Sequence, residues 1–203
     1  MDISVLFSAM PGAVAQGLIW GIMAIGVYIT YKILDVADLT VDGSMCTGGA
    51  VSIMMMLNGY NVWVSLLAAF IAGMLAGLVT GIFHTFMGIP AILAGILTQL
   101  ALYSINLKIM GRANQAISVM NYDLLVSLRN VKNVPFYQNS IFVVAIFCIV
   151  IIGVLYWFFG TELGCSLRAT GCNPNMSRAQ GINTNFNIVL GLMISNGLVG
   201  LAG

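Results

Sequence analysis

Apolar runs about as long as a bilayer is thick recur along this chain and restrict its fold severely. An α-helix of about 20 apolar residues spans a membrane. Since the connections between the runs are short, the sequence predicts one all-α bundle of membrane-spanning helices, with residues 1–203 as a single domain. The clear runs are Met10 to Leu34, Val62 to Phe83, Ile89 to Met110 and Ile141 to Phe159, and another begins near Phe186.

The composition agrees with a membrane setting. Hydrophobic residues make up 60% of the chain and charged residues only 6%, whereas soluble domains contain about 25% charged residues. With a formal net charge of +1 and seven basic residues, the chain lacks the positive surface that holds phosphate backbones. We therefore expect membrane lipid, and no nucleic acid, among its partners.

A further span is interrupted by polar residues. The stretch Asp35 to Gly49 leads into a short apolar run that ends at Leu57. This pattern predicts a broken or re-entrant span, which brings the expected number of spans to about six.

Ionised groups inside a bilayer are costly and usually mark function. The acids Asp38 and Asp42 lie four residues apart, and Asp42-Gly43-Ser44 is a plausible helix start at which a carboxylate favours the positive end of the helix dipole. Capping of the broken helix is the favoured interpretation of this pattern, and relay of a proton or cation is the alternative. The candidates for a translocation pathway are Asp38, Thr40, Asp42, Gly43 and Ser44.

The polar segment Gly160 to Asn183 carries start and stop signals for two short helices. The first is predicted from about Glu162 to Thr170, with Gly171 as a left-handed stop. In the second, Asn173 is the expected N-cap, Pro174 occupies the first helical position and Gly181 closes the helix. Two capped helices beside a membrane indicate an interaction surface.

Small residues recur every four positions on two of the spans. Gly73, Gly77 and Gly81 form such a stripe on the third span, and Gly17 with Gly21 repeats the spacing on the first. Small residues allow helix backbones to approach closely in a membrane. Packing within the chain is the favoured interpretation, and a dimer face is the alternative.

Signals for enzyme chemistry are absent from the sequence. We find no nucleophile elbow, Walker A loop or metal-binding pair of histidines, so we expect no catalytic residues, cofactor or metal. The cysteines Cys46, Cys148, Cys165 and Cys172 lack metal-ligand spacing. Cys165 and Cys172 are expected to be accessible, Cys148 shielded within its span, and Cys46 partly shielded.

Three stretches together resemble a known family. They are ILDVADLTVDGS (Ile33 to Ser44), IPAILAGILTQLALYSINLKIMG (Ile89 to Gly111) and LGCSLRATGCNPNMSRAQGIN (Leu163 to Asn183). In this combination they resemble the permease subunit of ATP-binding-cassette (ABC) importers of the branched-chain amino acid and ribose type. The similarity is greatest to the subgroup assigned to tryptophan or tyrosine uptake. Ser177 stands where that family commonly has alanine.

The resemblance implies a bacterial plasma-membrane permease that moves a small solute, such as an amino acid, by alternating access. Its implied partners are cytoplasmic ABC ATPases, an extracytoplasmic binding protein and a second permease subunit. ATP hydrolysis would then reside in the partner subunit. The residues implied to couple the chain to the ATPase are Arg168, Asn173, Pro174, Ser177, Arg178 and Gly181. The alternative is an ion-coupled secondary transporter that uses Asp38 and Asp42.

The same resemblance implies an orientation and a length. The resemblance implies that Gly160 to Asn183, called the coupling segment below, is cytoplasmic, which places the loop from Gly111 to Asn139 outside. The positive-inside rule gives this orientation no support, because basic residues are not more numerous on the inner side. Family members repeat their fold, so the chain is expected to be the first half of such a repeat, truncated within the apolar stretch Asn196 to Gly203. The basic residues counted are Lys108, Arg112, Arg129 and Lys132 outside, and Lys32, Arg168 and Arg178 inside.

Overall fold

The computed structural model describes residues 3–115 and 140–203, and all regular structure in these two ranges is helical. Five of the helices are long and apolar enough to cross a membrane, and a shorter apolar helix accompanies them. The predicted all-α polytopic bundle is therefore confirmed. The helices are α1 Ile3–Tyr28, extended by a π-helical turn Ile29–Ile33, α2 Val41–Leu57, α3 Val62–Thr85, α4 Ala91–Met110, α5 Ser140–Gly160, α6 Glu162–Cys172, α7 Pro174–Ala179 and α8 Thr184–Ala202.

One apolar cluster shows which helix ends lie together. Its buried members are Leu34, Val36, Leu167 and Leu192, and they pack against residues from the ends of α1 and α5 and the start of α4. The end of α1, the start of α4, the end of α5, helix α6 and the first half of α8 therefore share one end of the bundle. We call this the coupling end.

Helix α8 occupies the centre of the bundle. Half of its membrane-spanning window is buried, compared with 11% for the peripheral α5. Its closest neighbour is α3, because added methyl groups at Gly73 and Gly77 would overlap the carbonyl oxygens of Asn196 and Leu192. The predicted glycine stripe on α3 is thus a packing face within the chain, as the favoured interpretation stated.

The corresponding interpretation is wrong for the first span. Among the described residues, no atom lies within 4 Å of a methyl group added at Gly17 or Gly21. Close packing between α1 and α8 occurs at Gly26 instead, where a methyl group would meet the Ser195 carbonyl. Spacing alone did not show which face of α1 is turned toward the bundle.

The broken span is an extended segment followed by a continuous helix. Residues 35–40 are not helical, and Asp35 adopts a positive φ of 55°. Helix α2 then runs without interruption from Val41 to Leu57. Because residues 34 and 36 pack at the coupling end and α3 begins at the opposite end, the stretch as a whole passes through the bundle.

The predicted loop Gly111 to Asn139 is described only at its beginning. Gly111 ends α4 in the left-handed conformation, with φ of 64°. The loop's remaining basic residues, Arg129 and Lys132, lie outside the described residues.

Candidate functional site

Polar side chains meet inside the bundle where the extended segment joins α2. The Asp38 Oδ1 atom accepts a hydrogen bond of 2.8 Å from the backbone N–H of Thr40, which is the residue before the helix. The Asp38 Oδ2 atom accepts a second, at 2.6 Å, from the side-chain amide of Asn196. Both carboxylate oxygens are therefore occupied, one by the residue before α2 and one by α8.

Asn196 connects this carboxylate to the first turn of α2. Its amide oxygen accepts a hydrogen bond from Ser44 Oγ at 2.5 Å, and its amide nitrogen also donates to the Leu192 carbonyl at 3.0 Å. Thr40 and Thr80 share a further bond of 2.8 Å between their hydroxyl oxygens. We call Asp38, Thr40, Ser44, Thr80 and Asn196 the central polar network, which joins α2, α3 and α8.

The predicted pathway residues divide into two groups. Asp38, Thr40 and Ser44 belong to the network. Asp42 is exposed in the first turn of α2, and Gly43 packs against Gln99 and Leu102 of α4. Helix α2 begins at Val41 and has Asp42 in its first turn, so the predicted helix start at Asp42-Gly43-Ser44 is confirmed to within two residues.

Two network residues were missed by the sequence argument. Asn196 is fully buried in the middle of an apolar helix, and Thr80 is 2% exposed on the glycine face of α3. An amide within a membrane-spanning run is itself a signal, because such groups usually face the bundle interior and find partners there.

The coupling segment contains both of its predicted helices. Helix α6 begins after the cap Thr161, whose hydroxyl accepts from Gly164 N–H, and it continues through Gly171 to Cys172. Gly171 is therefore not a left-handed stop. A methyl group there would overlap the Ile33 carbonyl oxygen at the end of α1, so this glycine permits close contact between α6 and α1.

The second short helix has the capping that the sequence predicted. The Asn173 side chain accepts from Met176 N–H at 3.1 Å, Pro174 follows it in the first turn, and Gly181 adopts φ of 81° after the helix. The Ser177 side chain is buried and donates to the Asn173 carbonyl at 3.0 Å. Ser177 therefore supports α7 from inside.

Both arginines of the segment bind within the chain. Arg168 donates from Nη2 to the Phe159 carbonyl at the end of α5, at 3.0 Å. Arg178 donates from Nε to Thr184 Oγ1 in the first turn of α8, at 2.8 Å. These bonds help to fix the position of the segment, and both arginines are exposed.

A buried bond also ties α6 to α8. The Asn187 amide nitrogen donates to Thr170 Oγ1 at 2.9 Å, and both side chains are buried. Asn187 lies nine residues before Asn196 on the same helix. Helix α8 therefore contacts the coupling segment through Asn187 and belongs to the central polar network through Asn196.

The outer face of α7 remains open. Residues 174–176 and 178–180 are exposed, and the Met176 side chain is 60% exposed. Cys165 and Cys172 are exposed as predicted and Cys148 is buried, whereas Cys46 is more exposed than expected. Within the described ranges, no group of three His, Cys, Asp or Glu side chains could hold a metal ion.

Sequence comparison shows which known proteins the chain is similar to. The family of branched-chain amino acid transport system permease components matches residues 10–203. A tyrosine transport system permease protein of Clostridioides difficile is 41% identical over 197 residues, which are 97% of this chain and 63% of that protein. A fructose import permease protein of Bifidobacterium longum is 29% identical, over 82% of this chain and 46% of the relative.

A third relative has a lower identity to this chain. A probable branched-chain amino acid transport permease protein of Methanocaldococcus jannaschii is 25% identical over 96% of this chain and 64% of its own length. The chain thus spans less than two thirds of the length of these relatives. No solved structure matches it.

Proposed function

The chain belongs to the family of branched-chain amino acid transport system permease components, and on that premise we propose that it acts as the membrane-spanning permease of an ABC importer. Its cargo in this proposal is a small solute, an amino acid of the tyrosine or branched-chain type. ATP hydrolysis would take place in separate ATPase subunits at the coupling end. A second permease subunit and an extracytoplasmic binding protein would complete the importer.

The observation that carries the proposal is the construction of the coupling segment. Two capped helices are held to α1, α5 and α8 by internal contacts, while the outer face of α7, including Met176, is exposed. A segment that only connected two spans would not need two capped helices held in place by internal contacts. A partner that pushes on α7 would move the helices to which the segment is attached.

Two routes lead from this surface to the central polar network. Along the first, Gly171 contacts Ile33, and residues 34–38 follow directly in the chain to Asp38. Along the second, Thr170 holds Asn187, and α8 continues to Asn196. The routes end on the two partners of one hydrogen bond, Asp38 to Asn196. Displacement of the coupling segment would therefore strain that bond and open the start of α2, which gives alternating access a physical basis.

The test is a substitution on the open face of α7. Met176→Glu places a charge on an exposed apolar contact without touching a bond of the segment, and Met176→Leu is its matched control. With the complete transporter in proteoliposomes, we expect Met176→Glu to reduce solute-stimulated ATP hydrolysis and uptake by at least about tenfold. Met176→Leu should keep both within about twofold.

Two outcomes would contradict the proposal. Uptake by Met176→Glu at the parent's rate would show that α7 is not the docking surface. Uptake that continues without the ATPase but stops when the proton gradient is collapsed would favour ion-coupled transport instead.

A further inference from the structure

Asn106 on α4 carries a polar atom to which the described residues offer no partner. Its side chain is 4% exposed, and its amide oxygen accepts no hydrogen bond. Among the described residues it is the single buried side-chain nitrogen or oxygen atom in this condition. Native proteins bury few such atoms, because each one loses its bonds to water and gains none in return.

The position of Asn106 connects it with the broken span. It lies on the buried face of α4 with Ala94, Thr98 and Leu102. Leu102, one turn earlier, is a neighbour of Gly43 in the first turn of α2. Since α4 begins at the coupling end, Asn106 lies beyond this contact, toward the end of the bundle from which an importer receives its solute.

The other buried amides of the described chain differ from Asn106 in one respect. Asn187 and Asn196 both donate and accept hydrogen bonds within the protein. The buried hydroxyl of Thr98 on α4 also has a partner, the Ala94 carbonyl at 3.0 Å. The fold therefore satisfies polar groups on the same face of α4 and leaves only the Asn106 oxygen open.

We infer that Asn106 is a solute-binding residue, whose amide oxygen accepts a hydrogen bond from an N–H or O–H group of the transported molecule. This inference rests on the proposed function. An amino acid offers its ammonium group for such a bond, and a sugar offers a hydroxyl. Because Asn106 is closed off in this conformation, the solute reaches it when α2 and α4 separate at the Gly43–Leu102 contact.

A comparison of matched substitutions tests this role. Asn106→Leu and Asn106→Ala both remove the open oxygen. The alanine variant is the control for the case in which a leucine side chain is too large for the site. Asn196→Leu and Asn196→Ala remove an amide whose bonds are made. Without solute, we expect at least one Asn106 variant to keep the parent's Tm or exceed it by about 2 °C, while both Asn196 variants melt several degrees lower.

Uptake provides the second readout. With L-tyrosine, L-leucine and fructose as probes, both Asn106 variants of the complete transporter should show an about tenfold higher KM for the solute that the parent carries. Basal ATP hydrolysis should not change. An increase with L-leucine identifies the ammonium as the donor, and an increase with fructose identifies a hydroxyl; L-tyrosine carries both kinds of donor.

Two results would overturn the inference. A fall in Tm for both Asn106 variants as large as that of the Asn196 variants would show that the oxygen is bonded in the unliganded protein. An unchanged KM would show that no solute contacts it. If the parent carries none of the three probes, the proposed cargo is wrong. The Tm comparison does not depend on the cargo, so a lowered Tm in both Asn106 variants would still overturn this inference.

Discussion

The two acids near the start of α2 have different surroundings although they are four residues apart. Asp38 accepts hydrogen bonds on both carboxylate oxygens, from Thr40 and from Asn196, whereas Asp42 is exposed. A carboxylate held by two donors fixes the geometry around it. An exposed carboxylate in a first helical turn contributes only a weak interaction with the helix dipole.

This difference leads to a prediction for paired substitutions. Asp38→Asn turns an NH₂ group toward one of two N–H donors, so we expect it to lower the free energy of unfolding by about 1–3 kcal/mol. Asp42→Asn should change it by less than about 0.5 kcal/mol. Thermal melting of the purified protein measures both effects. Similar Tm values for the two variants would contradict the network as described.

The sequence indicated Asp38, Thr40 and Ser44 because acids and hydroxyls stand out beside an apolar run. It also contained Asn196, a single amide in the last span, whose burial is a sufficient reason to expect a partner. The sequence could not tell which partner this would be. Asp38 and Asn196 are 158 residues apart and meet only through the packing of α8 between α1, α2 and α3.

Among the helices, glycines show most clearly what sequence spacing does and does not reveal. The stripe on α3 was recognised because three glycines four residues apart form a continuous face. The prediction for Gly171 is wrong, because a glycine after a short helical pattern fits a left-handed stop as well as it fits close packing. Only the position of α1 against α6 distinguishes the two roles.

Gly77 and Gly17 differ in what a methyl group would meet. At Gly77 it overlaps the Leu192 carbonyl, whereas at Gly17 it meets nothing within 4 Å. We expect Gly77→Ala to lower the free energy of unfolding by at least about 1–3 kcal/mol through overpacking. Gly17→Ala should be neutral or stabilise α1 by up to about 1 kcal/mol. Melting curves that rank the two variants in the opposite order would refute the packing of α3 on α8.

A second glycine pair tests the contact between α6 and α1. Gly171→Ala should separate α6 from Ile33, and we expect solute-stimulated ATP hydrolysis by the complete transporter to fall by at least about fivefold, an effect of about 1 kcal/mol. Gly160→Ala, at an open position of the same segment, should leave it unchanged. Full coupling in Gly171→Ala, measured as solute uptake per ATP hydrolysed, would remove this contact from the proposed mechanism.

For the whole molecule, the number and order of the spans followed from apolar length, since a bilayer leaves few alternatives. The arrangement of the spans did not follow. All of them are apolar, and the central position of α8 results from glycine contacts and polar bonds that involve residues far apart in the chain. The interruption of the second span was predictable, whereas its passage through the bundle beside α4 and α8 was not.

The central claim is that the coupling segment faces the cytoplasm and receives an ATPase. Cys172 tests it directly, because this native thiol is exposed in the segment, next to α7. We expect a membrane-impermeant maleimide to leave Cys172 unlabelled in intact cells. Opened membranes should show rapid labelling of Cys172, which bound ATPase subunits slow by at least about tenfold. Labelling of Cys172 in intact cells, or equal labelling with and without the ATPase, would contradict the claim.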